Sequence, residues 1–231
     1  MKNTKLVIIG DSYFAEVAHE YFRYDSDYEV VAFAVEAAYR KSDELNGLPV
    51  VDLEFVDAEY PPSECDAYVA LTYSKLNRTR GRIYNATKDK GYVLASYVSS
   101  KAFVWRNVEI GENTFIFENN VLQPFVKIGS NTVLWSGNHI GHHSTIGDNV
   151  FLASHVVVSG LVVVGDNCFF GVNATVADNI KIGKDCWVGP NTLVGKNLEA
   201  GTMIKADNSE AMAFKTYRFF KLPEEPEGQN S

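Results

Sequence analysis

The sequence predicts two architectures in one chain: a small α/β domain over residues 1–97 and a parallel β-helix over residues 98–203. In the first segment, apolar strand-like stretches alternate with helical stretches, which is typical of a small parallel, Rossmann-like sheet. In the second, apolar residues recur every six positions, a period that fits neither an α-helix nor a simple alternating strand. Residues 204–231 form a C-terminal extension that we expect to be partly helical and then disordered.

The six-residue repeat runs from Val98 to Val194 without a slip in register. Glycine often follows the apolar residue, and a small or β-branched residue often lies four places after it. This pattern predicts a solenoid in which each hexad forms one flat side and three hexads close one coil. The apolar residue would point inward and glycine would help the chain turn. The repeat positions are Val98, Val104, Ile110, Ile116, Leu122, Ile128, Leu134, Ile140, Ile146, Leu152, Val158, Val164, Phe170, Val176, Ile182, Val188 and Val194.

The N-terminal segment has its own element pattern. Apolar runs that end at glycine or polar residues predict strands, and 3.6-residue spacing predicts helices. The predicted strands are Lys5–Ile9, Glu29–Val35 and Tyr68–Leu71, the predicted helices are Phe14–Phe22 and Asn77–Lys90, and Tyr92–Val98 leads into the solenoid.

Composition narrows the possible settings and partners. With 231 residues and 46% hydrophobic content, the chain can bury a substantial core. No apolar run is long enough to span a membrane, and the run at the N-terminus is too short for a signal peptide. A net charge of −8 argues against a nucleic-acid binder. We therefore expect a cytoplasmic protein without membrane insertion.

Two of the three cysteines fall in the repeat. Cys168 and Cys186 are eighteen residues apart, so we expect them to stack one coil apart inside the prism. That spacing could permit a disulfide, but in a reducing compartment we expect two packed thiols. Cys65 is interpreted as a structural residue.

The first strand is followed by the turn Gly10-Asp11-Ser12-Tyr13-Phe14-Ala15. A dinucleotide-binding turn requires glycine at the third and sixth positions, where this chain has Ser12 and Ala15, so NAD binding is not expected. The backbone N–H groups of such a strand-to-helix turn can still bind a phosphate.

Four of the five histidines lie between positions 139 and 155, on the predicted β-helix. Because Ile140 and Ile146 point inward, His142 and His143 should project from an outer wall or corner. Histidine can act as a base near neutral pH, which acyl transfer to an amine or hydroxyl requires. An exposed polar residue of a repeat is the alternative interpretation, and for His139 and His155 we favour a structural or accessory role.

With the hexad repeat and the sequence Gly141-His142-His143-Ser144-Thr145-Ile146-Gly147, the chain resembles the hexapeptide-repeat sugar acyltransferases. The resemblance is to the sialic-acid O-acetyltransferase and bacillosamine-pathway N-acetyltransferase type, and it extends from Lys5 to about Thr202. It implies a left-handed β-helix, a homotrimer without metal, and transfer of an acyl group, as from acetyl-CoA, to an amino or hydroxyl group of a nucleotide-linked sugar.

The resemblance also implies residue roles. His142 matches the catalytic base, whereas His143 replaces a residue that is usually acidic, and the N–H of Gly160 would contact the acyl carbonyl. The turn of Gly10, Asp11 and Ser12, together with Glu36, would form the nucleotide-sugar pocket. The segment from Thr72 to Arg78, which includes Asn77, departs from the family motif at positions that would face the sugar or nucleotide.

Residues 181–221 carry seven basic and four acidic side chains, which makes this end of an acidic protein basic. Lys181 and Lys196 are therefore candidates for binding the anionic coenzyme A, although ordinary solvated lysines would give the same composition. Two other functions stay open: a zinc enzyme of the γ-class carbonic anhydrase type, with three histidines converging between subunits, and a non-catalytic homologue that binds a nucleotide sugar. The sequence leaves open the sugar, the nucleotide, N- or O-acylation and the acyl length.

Overall fold

The computed structural model describes residues 4–213 and 215–223. Its N-terminal sheet has the strand order β3-β4-β2-β1-β5, in which only β3 is antiparallel to its neighbour. The strands are β1 (Thr4–Ile9), β2 (Tyr28–Val35), β3 (Glu44–Leu45), β4 (Leu48–Asp52) and β5 (Cys65–Val69). The helices of this region are α1 (Tyr13–Tyr24), α2 (Val56–Glu59) and α3 (Arg78–Asp89), with 3₁₀ turns at Ala37–Tyr39 and Leu53–Phe55.

The predicted α/β class with a following β-helix is confirmed. The short strands β3 and β4 and the single-turn helix α2 are not apparent from apolar periodicity. β3 has two residues, and β4 contains Pro49, which lowers the strand signal of its segment.

Two-residue parallel strands build the left-handed β-helix, whose three flat faces we name here. The covered face contains β6 (Tyr97–Val98), β9 (Phe115–Ile116), β12 (Val133–Leu134), β15 (Phe151–Leu152), β18 (Phe169–Phe170), β21 (Trp187–Val188) and β23 (Met203–Ile204). The apolar face contains β7 (Phe103–Val104), β10 (Val121–Leu122), β13 (His139–Ile140), β16 (Val157–Val158), β19 (Thr175–Val176) and β22 (Leu193–Val194). The mixed face contains β8 (Glu109–Ile110), β11 (Lys127–Ile128), β14 (Thr145–Ile146), β17 (Val163–Val164) and β20 (Lys181–Ile182).

The predicted repeat residues form the core of this prism. Every repeat position from Ile116 to Val194 is buried, whereas Val104 and Ile110 are only partly buried. Val98 is 37% exposed because β6 lies at the end of its sheet, where no coil covers it. The inward orientation therefore holds through the stacked coils and weakens at the first one.

The corners are turned differently from the sequence-based expectation. Left-handed backbone angles at the corners are adopted mainly by asparagines, not by the glycines that follow the inward residues. These glycines are required by the close stacking of coils: a Cβ atom at Gly165 would lie 2.6 Å from the backbone nitrogen of Lys184. The corner asparagines with positive φ are Asn113, Asn119, Asn131, Asn149, Asn167, Asn173, Asn179 and Asn191.

The N-terminal domain packs on the covered face through aromatic rings. Phe14 and Phe22 of α1 contact Phe115, with ring centroids 5.8 Å apart in both pairs. This cluster is continuous with Tyr68 of β5 and with Phe117. One side of the prism is therefore covered by the chain's own α/β domain, which leaves the corner between the other two faces open.

Cys168 and Cys186 are buried free thiols inside the prism, one coil apart. The backbone N–H of Cys186 donates to Sγ of Cys168 at 3.4 Å. Burial raises the pKa of the Cys168 thiol to about 12, so it is a packed, unreactive thiol. Cys65 is also a buried free thiol.

The C-terminal extension leaves the prism after β23. The N–H of Ala206 donates to Oγ1 of Thr192 at 3.0 Å, and the chain then reaches the short helix α4 (Thr216–Phe220). The expected disordered end, from residue 224 onward, lies outside the described residues. No helix in the described ranges is long and apolar enough to cross a membrane.

Candidate active site

His142 lies at the corner where the apolar face meets the mixed face, between β13 and β14. Its side chain is exposed, and its backbone N–H donates to Oε1 of Gln123 at 2.9 Å. Gln123 lies on the preceding coil, nineteen residues earlier. The repeat thus presents an imidazole at the open corner of the prism while its backbone is held by the coil before it.

His143 follows in the left-handed conformation, with φ of 58°. Its ring stacks on that of Phe125, with centroids 4.5 Å apart and planes at 28°. Its Nδ1 atom lies 3.2 Å from Nδ1 of His142, and the two imidazole planes are at 85°. The two imidazole rings are therefore in direct contact. Phe125 is an additional partner of His143 that was not predicted from the sequence.

Gly160 lies one coil beyond His142 at the same corner, and it is buried. A Cβ atom at this position would lie 2.9 Å from both Cε1 and Nε2 of His142, so only glycine leaves room for the imidazole. Its N–H donates to Oδ1 of Asp178 at 3.1 Å. The N–H expected to contact the acyl carbonyl thus donates to a carboxylate in the single chain, and the absence of a side chain at Gly160 leaves room for the imidazole.

The other β-helix histidines do not join this site. His139 is half-buried on the apolar face, paired in the sheet with Val121 and Val157. His155 lies at a different corner, between the covered and apolar faces, with φ of 59°. Within residues 4–213 and 215–223, no group of three or more histidine, cysteine, aspartate or glutamate side chains is arranged to hold a metal ion.

The two candidate lysines occupy different positions. Lys196 is exposed and lies at the same corner as Gly160 and Asp178, between β22 and Leu198, which bridges to Ile182 of the mixed face. Lys181 is exposed on the mixed face, and its backbone N–H donates to Oδ1 of Asn197 at 2.8 Å. Both ammonium groups thus lie on the outer surface of the later coils.

A cavity of about 500 Å³ opens at the carboxyl ends of β1 and β2. The carboxyl ends of parallel strands are where ligands usually bind in open α/β sheets. Gly10 lines this cavity with φ of 133°, and a Cβ there would lie 2.9 Å from the main-chain oxygen of Ala70. Asp11 and Glu36 also line it, so three of the predicted substrate-binding residues come together here.

Basic side chains form the opposite wall of this cavity. Arg82 of α3 makes two hydrogen bonds to the carboxylate of Glu36, each 2.8 Å long. The guanidinium of Arg82 lowers the pKa of this carboxyl group, which therefore stays ionised at neutral pH. Lys75 and Arg78 lie on the same wall, and Arg78 also pairs with Asp185 of the β-helix. Lys75 and Arg78 belong to the segment that the sequence analysis placed next to the substrate, whereas Arg82 was not predicted.

Three predicted substrate-binding residues lie elsewhere. Ser12 is an exposed residue at the start of α1 and does not line the cavity. Thr72 lines a second cavity, and its main-chain oxygen accepts a hydrogen bond of 2.9 Å from Arg80. Asn77 has no exposed surface and donates from Nδ2 to the main-chain oxygen of Cys168 at 3.1 Å. Asn77 thus connects α3 to the β-helix rather than facing solvent.

The second cavity, also of about 500 Å³, lies on the covered face beyond the N-terminal domain. Rings of Phe151, Phe169 and Trp187 stack along successive coils, with centroids 5.9 Å and 6.1 Å apart. Tyr73 packs against the first two of these rings. The sequence signal is an aromatic residue immediately before the inward residue in every third hexad, a pattern that only Val133 interrupts between Tyr97 and Trp187.

Comparison with family models identifies the repeat region. Residues 107–141 and 125–160 match the family described as bacterial transferase hexapeptide (six repeats), and residues 161–196 match the hexapeptide repeat of succinyl-transferase. The prediction that this region consists of hexapeptide repeats is confirmed. No curated protein matches the chain as a sequence relative.

Solved structures share the fold over most of the chain. The acetyltransferase domain of PglB from Neisseria gonorrhoeae is 18% identical and has a TM-score of 0.80, covering 91% of this chain and all of that one. A histidine-to-asparagine variant of perosamine N-acetyltransferase from Caulobacter crescentus, in complex with CoA and GDP-perosamine, is 24% identical with a TM-score of 0.79. That match covers 87% of this chain and 93% of the other. WeeI from Acinetobacter baumannii is 21% identical with a TM-score of 0.74, covering 88% and 97%.

Proposed function

We propose that this protein transfers an acetyl group from acetyl-CoA to an amino or hydroxyl group of a nucleotide-linked sugar. The observation that carries the proposal is the exposed imidazole of His142, whose Cε1–Nε2 edge lies directly over Gly160 at an open corner of the β-helix. The shared fold with sugar N-acetyltransferases, one of which is in complex with CoA and GDP-perosamine, supports the same reaction class.

The reaction requires one base and no protein nucleophile. The sugar nitrogen or oxygen attacks the carbonyl carbon of the thioester, a C–N or C–O bond forms, and the C–S bond breaks. Nε2 of His142 accepts the proton that the attacking group loses, and this proton is then passed to the departing thiolate, which leaves as the free thiol of coenzyme A. The buried thiols of Cys168 and Cys186 do not take part.

Coenzyme A would lie along the later coils. Its pantetheine arm separates the thiol from the phosphate groups, so cations several coils beyond His142 are suitable partners for those phosphates. Lys196 lies at the same corner three coils further on, or about 14 Å at the usual strand spacing. Lys181 supplies a second exposed ammonium group on the adjacent mixed face. We assign both lysines to coenzyme A binding.

The N-terminal cavity would hold the nucleotide part of the acceptor. The N–H of Asp11, in the turn before α1, can donate to a phosphate, whereas that of Gly10 donates to the main-chain oxygen of Ala34 at 2.7 Å. Lys75 and Arg78 supply positive charge. The ionised carboxylate of Glu36 can accept hydrogen bonds from ribose hydroxyl groups. A cavity of about 500 Å³ falls within the usual size range of small-molecule sites.

The cavity of the N-terminal domain and the corner that carries His142 lie apart within one chain. The cavity is lined only by residues between Ile9 and Ile83, whose domain covers one face of the prism, whereas His142 lies at the corner between the other two faces. A closed trimer would bring the corner of one subunit to the domain of its neighbour. The apolar face supports such an assembly, because Phe103, Val157 and Leu193 on it are 52%, 38% and 68% exposed.

The test is release of free coenzyme A thiol from acetyl-CoA in the presence of a panel of nucleoside-diphosphate amino and hydroxy sugars, with mass spectrometry of the products. Free nucleoside diphosphates are the control, because they reveal simple thioester hydrolysis. We expect one sugar class to gain a single acetyl group. If nucleotide sugars bind in titration calorimetry but none is acetylated across the panel, the protein is a binding homologue and the proposal is wrong.

A further inference from the structure

The contact between His142 and His143 has a definite hydrogen-bonding requirement. Their Nδ1 atoms are 3.2 Å apart, and two ring nitrogens can form a hydrogen bond only when one carries the hydrogen and the other a lone pair. Building on the acyl transfer proposed above, we propose that Nδ1–H of His142 donates to the lone pair of Nδ1 of His143. His143 is then a positioning residue that fixes the tautomer of the catalytic base.

The direction of this hydrogen bond decides which atom is the base. If His142 donates from Nδ1, its Nε2 keeps a lone pair, and this is the edge that lies over Gly160 at the open corner. If His143 were the donor, Nδ1 of His142 would be occupied as an acceptor and Nε2 would carry the hydrogen. That arrangement would leave no basic atom facing the co-substrate. Only the first direction gives a competent base.

The protein holds His143 in a backbone conformation that bulky side chains rarely adopt. On three successive coils of this corner, the left-handed residue is Phe125, His143 and then Leu161, with φ of 67°, 58° and 60°. Most other corners use asparagine, which tolerates this conformation better. Here the left-handed turn and the stacking on Phe125 together aim Nδ1 of His143 at His142.

No carboxylate hydrogen-bonds to either imidazole among the residues that the structure describes. The preceding coil offers the neutral Gln123 and Phe125, and the following coil offers Gly160 and Leu161. Counting in steps of eighteen residues from His142, the first charged side chains are Arg106 and Asp178, each two coils away. The carboxylate of Asp178 accepts a hydrogen bond from the N–H of Gly160. The hydrogen-bonding partner of the His142 ring is thus a neutral ring and not a carboxylate.

A neutral acceptor has a different effect on protonation from an acidic one. A carboxylate next to His142 would favour the imidazolium form and raise the pH at which the base becomes protonated. With His143 as acceptor this attraction is absent, and a second proton on the pair would break the hydrogen bond and place two cations together. Replacing the neutral ring of His143 by a carboxylate should therefore raise the pH at which the base becomes protonated.

Two substitutions of His143 separate positioning from simple structural support. His143→Leu removes the acceptor while matching Leu161, which already occupies the same left-handed position one coil away. His143→Asp replaces the neutral acceptor by a charged one, and aspartate also tolerates this backbone conformation. We expect the Leu variant to lower kcat without changing the KM for acetyl-CoA. We expect the Asp variant to retain turnover, with the acid limb of its kcat/KM profile about 1 pH unit or more higher.

The tautomer is measured independently of turnover by ¹⁵N NMR of the imidazole rings, assigned with single histidine variants. In the unmodified protein we expect His142 in the Nδ1–H form and His143 with the lone pair on Nδ1, and in the Leu variant a loss of this preference. An Nε2–H form of His142 in the unmodified protein would overturn the inference, as would an unchanged acid limb in the Asp variant. Because NMR needs no substrate, failure of the proposed reaction leaves the tautomer test intact.

Discussion

The buried guanidinium of Arg80 donates a hydrogen bond from Nη2 to the main-chain oxygen of Asn149, at a distance of 3.1 Å. It also reaches the main-chain oxygens of Asn131 and Val150 on the β-helix and of Thr72 in the N-terminal domain. Burial lowers the pKa of this side chain to about 10, which still leaves it charged at neutral pH. One buried cation thus joins the α/β domain to the corner asparagines of the prism.

We expect Arg80→Met to destabilise the protein by about 3 kcal/mol, because several buried carbonyl groups lose a charged donor. The measurement is urea unfolding followed by fluorescence. Arg78→Met is the matched control, since Arg78 also pairs across the two domains, with Asp185, but from the surface. Such an exposed pair contributes about 1 kcal/mol or less. Equal losses in the two variants would contradict the structural role of Arg80.

The register of the prism gives a second test. Ile146 is 1% exposed inside the coil, whereas its neighbour Thr145 points outward from the mixed face. Ile146→Asp buries an unpaired carboxylate and should cost ~4 kcal/mol or more, giving unfolded or insoluble protein. Thr145→Asp should fold with a nearly unchanged Tm. Thermal unfolding of both variants decides this, and a normal Tm for Ile146→Asp would show that the inward register is wrong.

The six-residue period was sufficient to predict the β-helix because burial inside a narrow prism imposes one apolar position per hexad, as the row from Ile116 to Val194 shows. The corner chemistry was not predictable from apolar spacing. Asn113, Asn131 and Asn149 form a ladder of side-chain hydrogen bonds 2.8 Å and 2.7 Å long, and the first also accepts the N–H of Val69. These contacts depend on the stacking of coils and on domain docking.

The candidate site was predictable in part. The contact of His142 with Gly160 follows from the eighteen-residue coil, and the same spacing would have located Asp178 at this corner. The role of Asn77 was not predictable, because its burial depends on how α3 docks against the strand that carries Cys168. The stacking of His143 on Phe125 likewise requires knowledge of the left-handed corner conformation.

The base itself is tested by His142→Asn, which keeps a polar side chain of similar size but removes the basic nitrogen. We expect turnover to fall ~10²- to 10⁴-fold. Coenzyme A affinity, measured by titration calorimetry, should be nearly unchanged. His155→Asn is a matched control, because His155 is an exposed histidine of another corner. Near-normal turnover of the His142 variant on a verified substrate would exclude His142 as the base.

The variant Gly160→Ala tests whether the imidazole of His142 needs the space that the missing side chain of Gly160 leaves. The new methyl group would lie 2.9 Å from Cε1 and Nε2 of His142, so the ring must move away from its position over the backbone. We expect kcat to fall ~10-fold or more because the base is displaced, with little loss of stability because the ring can swing into solvent. Gly195→Ala is the control, since a Cβ at Gly195 meets nothing within 4 Å and this glycine does not have positive φ. Equal kinetics for both variants would show that the imidazole position is not critical.

The assembly is tested through the apolar face. If the α/β domain of one subunit must meet the His142 corner of its neighbour, the active species should have about three times the chain mass of 25.7 kDa. Val157→Glu places a carboxylate on this face at a side chain that is 38% exposed in the single chain. Because the residue points outward, the chain should still fold, but burial of the charge between subunits should disfavour the trimer. We expect light scattering to detect monomers and the assay to detect little turnover; a folded, strictly monomeric variant with full activity would show that each chain holds a complete site.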